Sequence, residues 1–236
     1  MPRCYFKSGV GYKLLLAAGK VTSLTKNNGP KNPWGKDIEQ IYFTSNFIGK
    51  TLNVKIYVPD RYEPPIDLPR KESTSSDELE LSTFDRYDPF YFTVTRKSTQ
   101  VKLFDTSLGG LIFSDKFLQI VTKLPSQAMY GWGENVHPTL KHNFTRYTTW
   151  AMFARDEPPN SQHLQTKNLY GASLCGENAG VFVSESLRIL YSENCCVGVH
   201  PFYMVVEPDG NSHGVLILNS NAQVNSHWFA KRWITG

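Results

Sequence analysis

The sequence predicts an all-β protein built as a β-sandwich, and three observations support that prediction. Apolar and aromatic residues make up 40% and 13% of the chain, and charged residues only 19%, a balance that favours β structure. Leu52, Val54, Ile56 and Val58 alternate with polar residues, which is the period of a half-buried strand. Similar short runs recur along the 236 residues, a length that can bury a sizeable core in one large or two small domains.

Six short apolar runs are predicted as strands, because each lies close to a proline, glycine, aspartate or asparagine that favours a turn. In chain order they are Leu52–Val58, Phe90–Thr95, Val101–Phe104, Phe117–Val121, Phe202–Val206 and Val215–Leu218. Gly109–Gly110 and Pro208–Gly210 predict hairpin connections, since glycine reaches positive φ without strain and proline fixes its own φ. Pro59–Leu81, with four prolines before a polar run, and Arg155–Thr166 predict long surface loops.

Charge and the length of the apolar runs argue against two classes of partner. Lys and Arg exceed Asp and Glu by only 25 to 21, and the basic residues are scattered, so we expect no nucleic-acid partner. No apolar run approaches the roughly 18 residues of a transmembrane helix, so we expect no transmembrane segment. Leu14–Ala18 is too short for the core of a signal peptide, and the compartment is left open.

Motifs for phosphate and metal chemistry are incomplete. Gly131–Gly133 lacks the third glycine of a dinucleotide-binding loop. Cys195, Cys196 and His200, with the distant Cys175, come nearest to a metal ligand set. Adjacent cysteines rarely chelate one ion, and the competing interpretation is buried or oxidised thiols. The sequence therefore predicts no metal site and no cofactor.

Two pairs of carboxylates are candidates for glycoside hydrolysis, which needs two carboxyl groups at the scissile bond. They are Asp85 with Asp88, and Asp156 with Glu157. Carboxylates this close in sequence usually lie on a solvated turn, so neither pair is predicted to be catalytic. Asn143–Thr145 is the only N-glycosylation sequon, and it predicts a glycan on Asn143 if the chain is secreted.

Seven separated stretches between residues 61 and 222 follow the order and spacing of corresponding stretches in a known protein family. They are Arg61–Pro65, Leu124–Ser126, Tyr130–Glu134, Phe153–Asp156, Asn168–Gly171, His200–Tyr203 and His213–Ala222. Together they resemble the N-terminal β-sandwich of glycoside hydrolase family 31, the group of intestinal and lysosomal α-glucosidases. The resemblance implies a galactose-mutarotase-like sandwich.

The family activity implied by this resemblance is retaining hydrolysis of terminal α-1,4-linked glucose from maltose and starch oligosaccharides. In the family this chemistry belongs to a (β/α)₈ barrel, which alone needs about 250 residues. The nucleophile and acid/base aspartates of that barrel have no counterpart in this sequence. We therefore expect a truncated, noncatalytic N-terminal domain, for which the absent barrel is the natural intramolecular partner.

The resemblance also implies a substrate-binding pair. In the family, a loop of the sandwich reaches the sugar pocket, and its Arg-Asp pair aligns with Arg155 and Asp156. A carboxylate and a guanidinium can orient sugar hydroxyls, so weak binding of an α-glucan oligosaccharide is expected there. The competing interpretation is a solvated loop pair. Trp132 and Trp150 are expected in the core rather than at a sugar.

The resemblance divides the chain into three parts. Residues 1–12 resemble the remnant of a trefoil module, 13–222 form the sandwich with an atypical insert at 172–198, and 223–236 form a divergent tail. Two alternatives to the α-glucosidase assignment stay open at this point. The chain is then either an interaction module that uses an exposed sandwich face or an unstable product without an independent function.

Overall fold

A computed structural model describes residues 9–32, 35–61, 78–133, 139–144, 148–152, 179–185, 200–219 and 223–228. These residues form fifteen β-strands and no helix, and the strand pairs are all antiparallel. The all-β prediction is therefore confirmed. Within this part of the chain no helix has the length and apolar character needed to cross a membrane.

The strands are numbered in chain order. They are β1 Tyr12–Ala18, β2 Val21–Lys26, β3 Gln40–Ile48, β4 Thr51–Tyr57, β5 Leu79–Phe84, β6 Tyr91–Arg96, β7 Lys102–Asp105, β8 Ile112–Phe113, β9 Phe117–Lys123, β10 Met129–Gly133, β11 Thr148–Met152, β12 Ala179–Glu185, β13 His200–Val206, β14 Ser212–Leu216 and β15 Gln223–Trp228.

Among the described residues these strands form three sheets. A four-stranded sheet has the order β1-β2-β3-β4, and a three-stranded sheet has the order β10-β13-β14. The eight-stranded sheet has the order β11-β15-β12-β9-β7-β6-β5, with β8 paired to β9.

The first hydrophobic core lies between the four-stranded sheet and one face of the eight-stranded sheet. The rings of Phe43 on β3 and Phe92 on β6 have centroids 5.2 Å apart. The Tyr12 hydroxyl lies 2.7 Å from the carbonyl oxygen of Ile38 and 2.8 Å from that of Phe113, so the phenol can donate a hydrogen bond inside the core. The buried members of this core are Tyr12, Leu24, Ile41, Phe43, Phe90, Phe92, Val94 and Phe113.

The second core joins the three-stranded sheet to the same face of the eight-stranded sheet. Its buried members are Leu124, Met129, Trp132, Phe144, Tyr203 and Val205. Phe104 on β7 and Ile120 on β9 pack against both cores. The two smaller sheets therefore share one partner sheet, which is the layered arrangement of a sandwich.

Five of the six predicted strands are confirmed to within one or two residues, as β4, β6, β7, β9 and β13. The last prediction, Val215–Leu218, is displaced, because β14 runs from Ser212 to Leu216. Pairing starts immediately after the turn, where Ser212 lies opposite Val206. Gly214, which directly precedes the apolar run in the sequence, is thus an interior position of the strand.

Only one of the two predicted hairpins is confirmed. Pro208–Gly210 connects β13 to β14, with Gly210 at a φ of 87°. The prediction for Gly109–Gly110 is wrong, because that turn leads from β7 to β8, and β8 pairs with β9. The reversal between β8 and β9 is organised by Ser114, whose hydroxyl oxygen accepts a hydrogen bond from the Phe117 amide at 2.9 Å.

The two predicted loops have different outcomes. The loop predicted over Pro59–Leu81 is too long at its end, because β5 begins at Leu79. Leu79 and Leu81 pack against the first core, and burial of these two side chains extends the strand into the predicted loop. Residues 62–77 of this loop, and the whole of the loop predicted over Arg155–Thr166, lie outside the described residues.

Parts of the segments predicted as insert and tail form strands of the eight-stranded sheet. β12 lies within 172–198, and β15 lies within 223–236. β12 pairs with β9 on one side and with β15 on the other. The backbone of both segments thus contributes to the sheet, while the domain boundaries themselves stay a prediction.

Candidate functional site

The residues predicted to bind substrate, Arg155 and Asp156, lie outside the described residues, so their role stays a prediction. The same holds for Glu157 and for the three cysteines of the predicted insert. His200 is described and is an exposed residue at the start of β13. In the part of the chain that the structure describes, no group of three or more His, Cys, Asp or Glu side chains has the geometry of a metal site.

Asn143, the predicted glycosylation site, lies on an exposed position between two buried side chains. His142 is 3% exposed and Phe144 is 2% exposed. The His142 amide donates to the carbonyl oxygen of Met129 at 2.9 Å, and its ring Nε2 lies 3.0 Å from the carbonyl oxygen of Gly131. The flanking residues therefore anchor the segment, and Asn143 faces solvent.

Trp132 lies in the core, as predicted. Its side chain is fully buried, and its ring packs against Tyr203 with the centroids 5.1 Å apart. The β10–β13 register shifts between Gly131 and Gly133, and a Cβ on Gly131 would lie 2.6 Å from the carbonyl oxygen of Phe202. The motif that contributes to the family resemblance is therefore a packing motif at this position. The backbone of Trp150 lies in β11, but its side chain is outside the description.

A buried charged cluster joins the β13–β14 hairpin to β6. Arg96 Nε and Nη2 donate to the two carboxylate oxygens of Glu207 at 2.9 and 2.6 Å. Arg96 also donates to the carbonyl oxygen of Ser212 at 3.0 Å, and His213 Nδ1 lies 3.2 Å from Glu207 Oε1. The Glu207 side chain is fully buried. A fork-shaped pair of this kind fixes orientation as well as charge.

The pKa values of this cluster follow from burial and from the hydrogen bonds. Burial would raise the pKa of Glu207, but the hydrogen bonds from Arg96 and His213 hold that pKa below its ordinary value. Burial of the imidazole lowers the pKa of His213, against the opposing effect of the Glu207 carboxylate. The cluster therefore favours a neutral His213 imidazole beside a charged Arg96–Glu207 pair.

The outer side of the same hairpin carries a row of exposed apolar residues, called here the hairpin face. Its members are Phe202, Met204, Val206, Leu216 and Leu218, and they are between 37% and 51% exposed. The alternating residues Tyr203 and Val205 point inward and are fully buried. Strands that are apolar on both faces are typical of sheets covered on both sides, and an exposed apolar patch marks an interaction site.

Sequence reasoning missed both features for different reasons. The five consecutive apolar residues Phe202–Val206 were a usable signal for the hairpin face, because a half-buried strand would alternate. The charged cluster gave no local signal, since 111 residues separate Arg96 from Glu207.

An open cleft of about 310 Å³ lies beside the hairpin turn. Its walls are Val101, Leu124, Pro125 and Pro208, and its charged residues are Lys102, Asp105 and Lys123. The Nζ atoms of both lysines lie 3.9 Å from Asp105 Oδ2. The two ammonium groups therefore share one carboxylate, which weakens the positive field that the cleft presents to an anion.

The chain is similar to known α-glucosidases. The chain is 38% identical over 190 residues to probable maltase-glucoamylase 2 of Homo sapiens, a match that covers 78% of this chain and 6% of that protein. It is 34% identical over 175 residues to intestinal sucrase-isomaltase of Homo sapiens, covering 72% of this chain and 8% of the relative. It is 32% identical over 232 residues to lysosomal α-glucosidase of Mus musculus, covering 94% of this chain and 20% of the relative.

The matched regions are a small part of these relatives, and the chain spans no more than a fifth of their length. No protein-family model matches the chain.

Proposed function

Because this chain is a homologue of the α-glucosidases of glycoside hydrolase family 31 over most of its length, we propose that it is a noncatalytic β-sandwich part of such an enzyme. Its role is to bind the remainder of an α-glucosidase, the part in which terminal α-1,4-linked glucose is hydrolysed. By itself the chain contributes carbohydrate binding at most.

The hairpin face is the observation that carries this proposal. Its five side chains are large and apolar, and each is more than a third exposed. Leaving such residues in water forgoes about 25 cal/mol for each Å² of apolar surface that a partner could cover. The relatives contain a long polypeptide beyond the matched region, which supports a partner from the same enzyme.

The edge position of β14 supports the same proposal. In the described part of the chain β14 pairs with β13 on one side, so its other side offers backbone groups to a partner. The Arg96–Glu207–His213 cluster holds the hairpin against β6. The face is therefore presented by a fixed hairpin rather than by a loop, which lowers the entropic cost of binding.

Substrate contact by Arg155 and Asp156 is part of the proposal. Arg155 would donate hydrogen bonds to sugar hydroxyls, and Asp156 would accept them, without a role in bond cleavage. The resemblance of Phe153–Asp156 to the family pattern supports this assignment.

Association tests the docking role. The purified chain is mixed with the part of human maltase-glucoamylase 2 that lies outside the matched region, and complex formation is followed by gel filtration and calorimetry. We expect the unmutated chain to form a complex. We expect Leu216→Lys to weaken its affinity at least about tenfold, equivalent to about 1.4 kcal/mol. The matched control is Leu16→Lys, because Leu16 is an exposed strand leucine of the four-stranded sheet.

Equal binding by the unmutated chain and by Leu216→Lys would contradict the assignment of the hairpin face. A complex that forms instead with an unrelated protein through this face would favour the alternative of a general interaction module. A chain that shows no cooperative unfolding transition would favour an unstable product.

A further inference from the structure

Three aromatic rings form a cluster at the turn between β5 and β6, called here the aromatic platform. Phe84 and Tyr91 are cross-strand partners whose rings stack with the centroids 4.3 Å apart and the planes inclined by 10°. Tyr87, in the turn, lies 5.5 Å from the Tyr91 ring and 6.1 Å from the Phe84 ring. Tyr87 is 59% exposed, so the cluster presents an aromatic side chain to solvent.

The platform lies on the face of the eight-stranded sheet that points away from both cores. On β6, Phe92 and Val94 point into the first core, so Tyr91 and Thr93 point to the opposite face. The ring contacts of Tyr87 with Tyr91 place Tyr87 on this face too. Core packing therefore accounts for none of the three rings.

Two charged residues directly precede Tyr87 in the turn. Asp85 is half-buried and Arg86 is exposed, and within the described residues neither takes part in an ion pair. Asp88 is already engaged, because its Oδ1 accepts a hydrogen bond from Asn27 Nδ2 at 2.9 Å. The next residue pair on the same face is Thr93 with Asp105. Burial, followed by the charges of Tyr87 and Asp105, raises the pKa of Tyr91.

We propose that the aromatic platform is a glucan-binding surface separate from Arg155 and Asp156. The apolar C–H face of a glucose unit stacks on the Tyr87 ring, and its hydroxyls hydrogen-bond to Arg86 and Asp85. The choice of glucan as ligand rests on the proposed function, whereas the site itself rests on the ring geometry. One exposed ring and two polar side chains favour weak, about millimolar binding that holds a chain near the enzyme.

Chemical-shift mapping of the full chain with maltoheptaose tests this proposal. We expect the backbone amides of Arg86 and Tyr87 to shift in a saturable way. Tyr87→Phe should retain binding, because the ring remains, and Tyr87→Leu should weaken it about tenfold or more, because an apolar side chain remains without a flat face. The matched control is Tyr57→Leu, since Tyr57 lies in another aromatic pair, with its ring 5.6 Å from that of Tyr42.

The mapping on the unmutated chain decides the question even if Tyr87→Leu does not fold. Absence of shifts at Arg86 and Tyr87, or equal weakening by Tyr57→Leu, would overturn the platform. Shifts confined to the neighbourhood of Arg155 and Asp156 would overturn it as well. The association test with Leu216→Lys does not involve Tyr87, so failure of the platform is distinguishable from failure of the proposed function.

Discussion

The Trp132 side chain is central to the packing of the second core. Trp132 has a φ of 55°, a conformation that is uncommon outside glycine, and it lies at the bulge between β10 and β13. Its burial could be predicted from the sequence, since a large aromatic residue between two glycines is more often a core residue than a ligand platform. The contact of Arg96 with Glu207 could not, because it depends on how distant strands pack.

Replacing Trp132 tests the second core. Trp132→Ala removes the ring that packs against Tyr203 and leaves a cavity, so we expect the free energy of unfolding to fall by about 3–5 kcal/mol. Urea denaturation measures this change. The control is Leu140→Ala, because Leu140 is 81% exposed and should change the free energy by no more than about 0.5 kcal/mol. A similar loss for both variants would show that Trp132 has no special packing role.

Glycosylation of Asn143 is a second prediction that concerns a single residue. Its exposed position between buried neighbours places the sequon on the surface, so secretion behind an added signal peptide should give a glycosylated chain. Mass spectrometry after glycosidase treatment would show one occupied site, which Asn143→Gln removes. Secretion of an unmodified chain would contradict the assignment.

At the scale of strands, the clearest alternation of apolar and polar residues gave the clearest prediction. β4 alternates apolar and polar residues and was predicted, whereas β1, Tyr12–Ala18, is a nearly continuous apolar run. Leu15 and Leu16 of β1 are 54% and 61% exposed, so burial does not enforce a period of two there. The hairpin prediction at Gly109–Gly110 is wrong because turn residues show that the chain reverses but not which strands then pair.

The Arg96–Glu207–His213 cluster predicts that the contact between the β13–β14 hairpin and β6 is weaker at low pH. The pKa of His213 is depressed below its ordinary value of about 6.5, so the unfolded chain binds a proton more readily than the folded chain. The contribution of His213 to the free energy of unfolding is therefore fully present above pH of about 6.5. It is lost as the pH falls toward the lower pKa that His213 has in the folded state. The lowered pKa of Glu207 extends the loss below pH of about 4.5.

Urea denaturation between pH 8 and pH 4 measures this dependence. His213→Gln, which retains a hydrogen-bonding side chain but cannot titrate, should flatten the part of the profile just below pH of about 6.5. The other histidines remain in the variant and serve as the internal control. An unchanged profile would show that His213 does not couple protonation to folding.

At the scale of the whole molecule, the sequence pointed to the sandwich but not to its sheet order. β9 pairs with β7, β8 and β12, and β12 comes from residues 179–185, a segment that the family resemblance treats as an insert. Such pairings join distant parts of the chain, and no local pattern encodes them. The same holds for the hairpin face. The apolar run Phe202–Val206 indicates that both faces of the strand are buried, but it does not show which part of the protein covers them.

Assays of maltose and of a chromogenic α-glucoside with the purified chain alone show whether the chain hydrolyses α-glucosides. A noncatalytic sandwich predicts no glucose release above buffer at any chain concentration. A rate that rises in proportion to chain concentration, and that persists after a second independent purification, would show that the chain is itself catalytic.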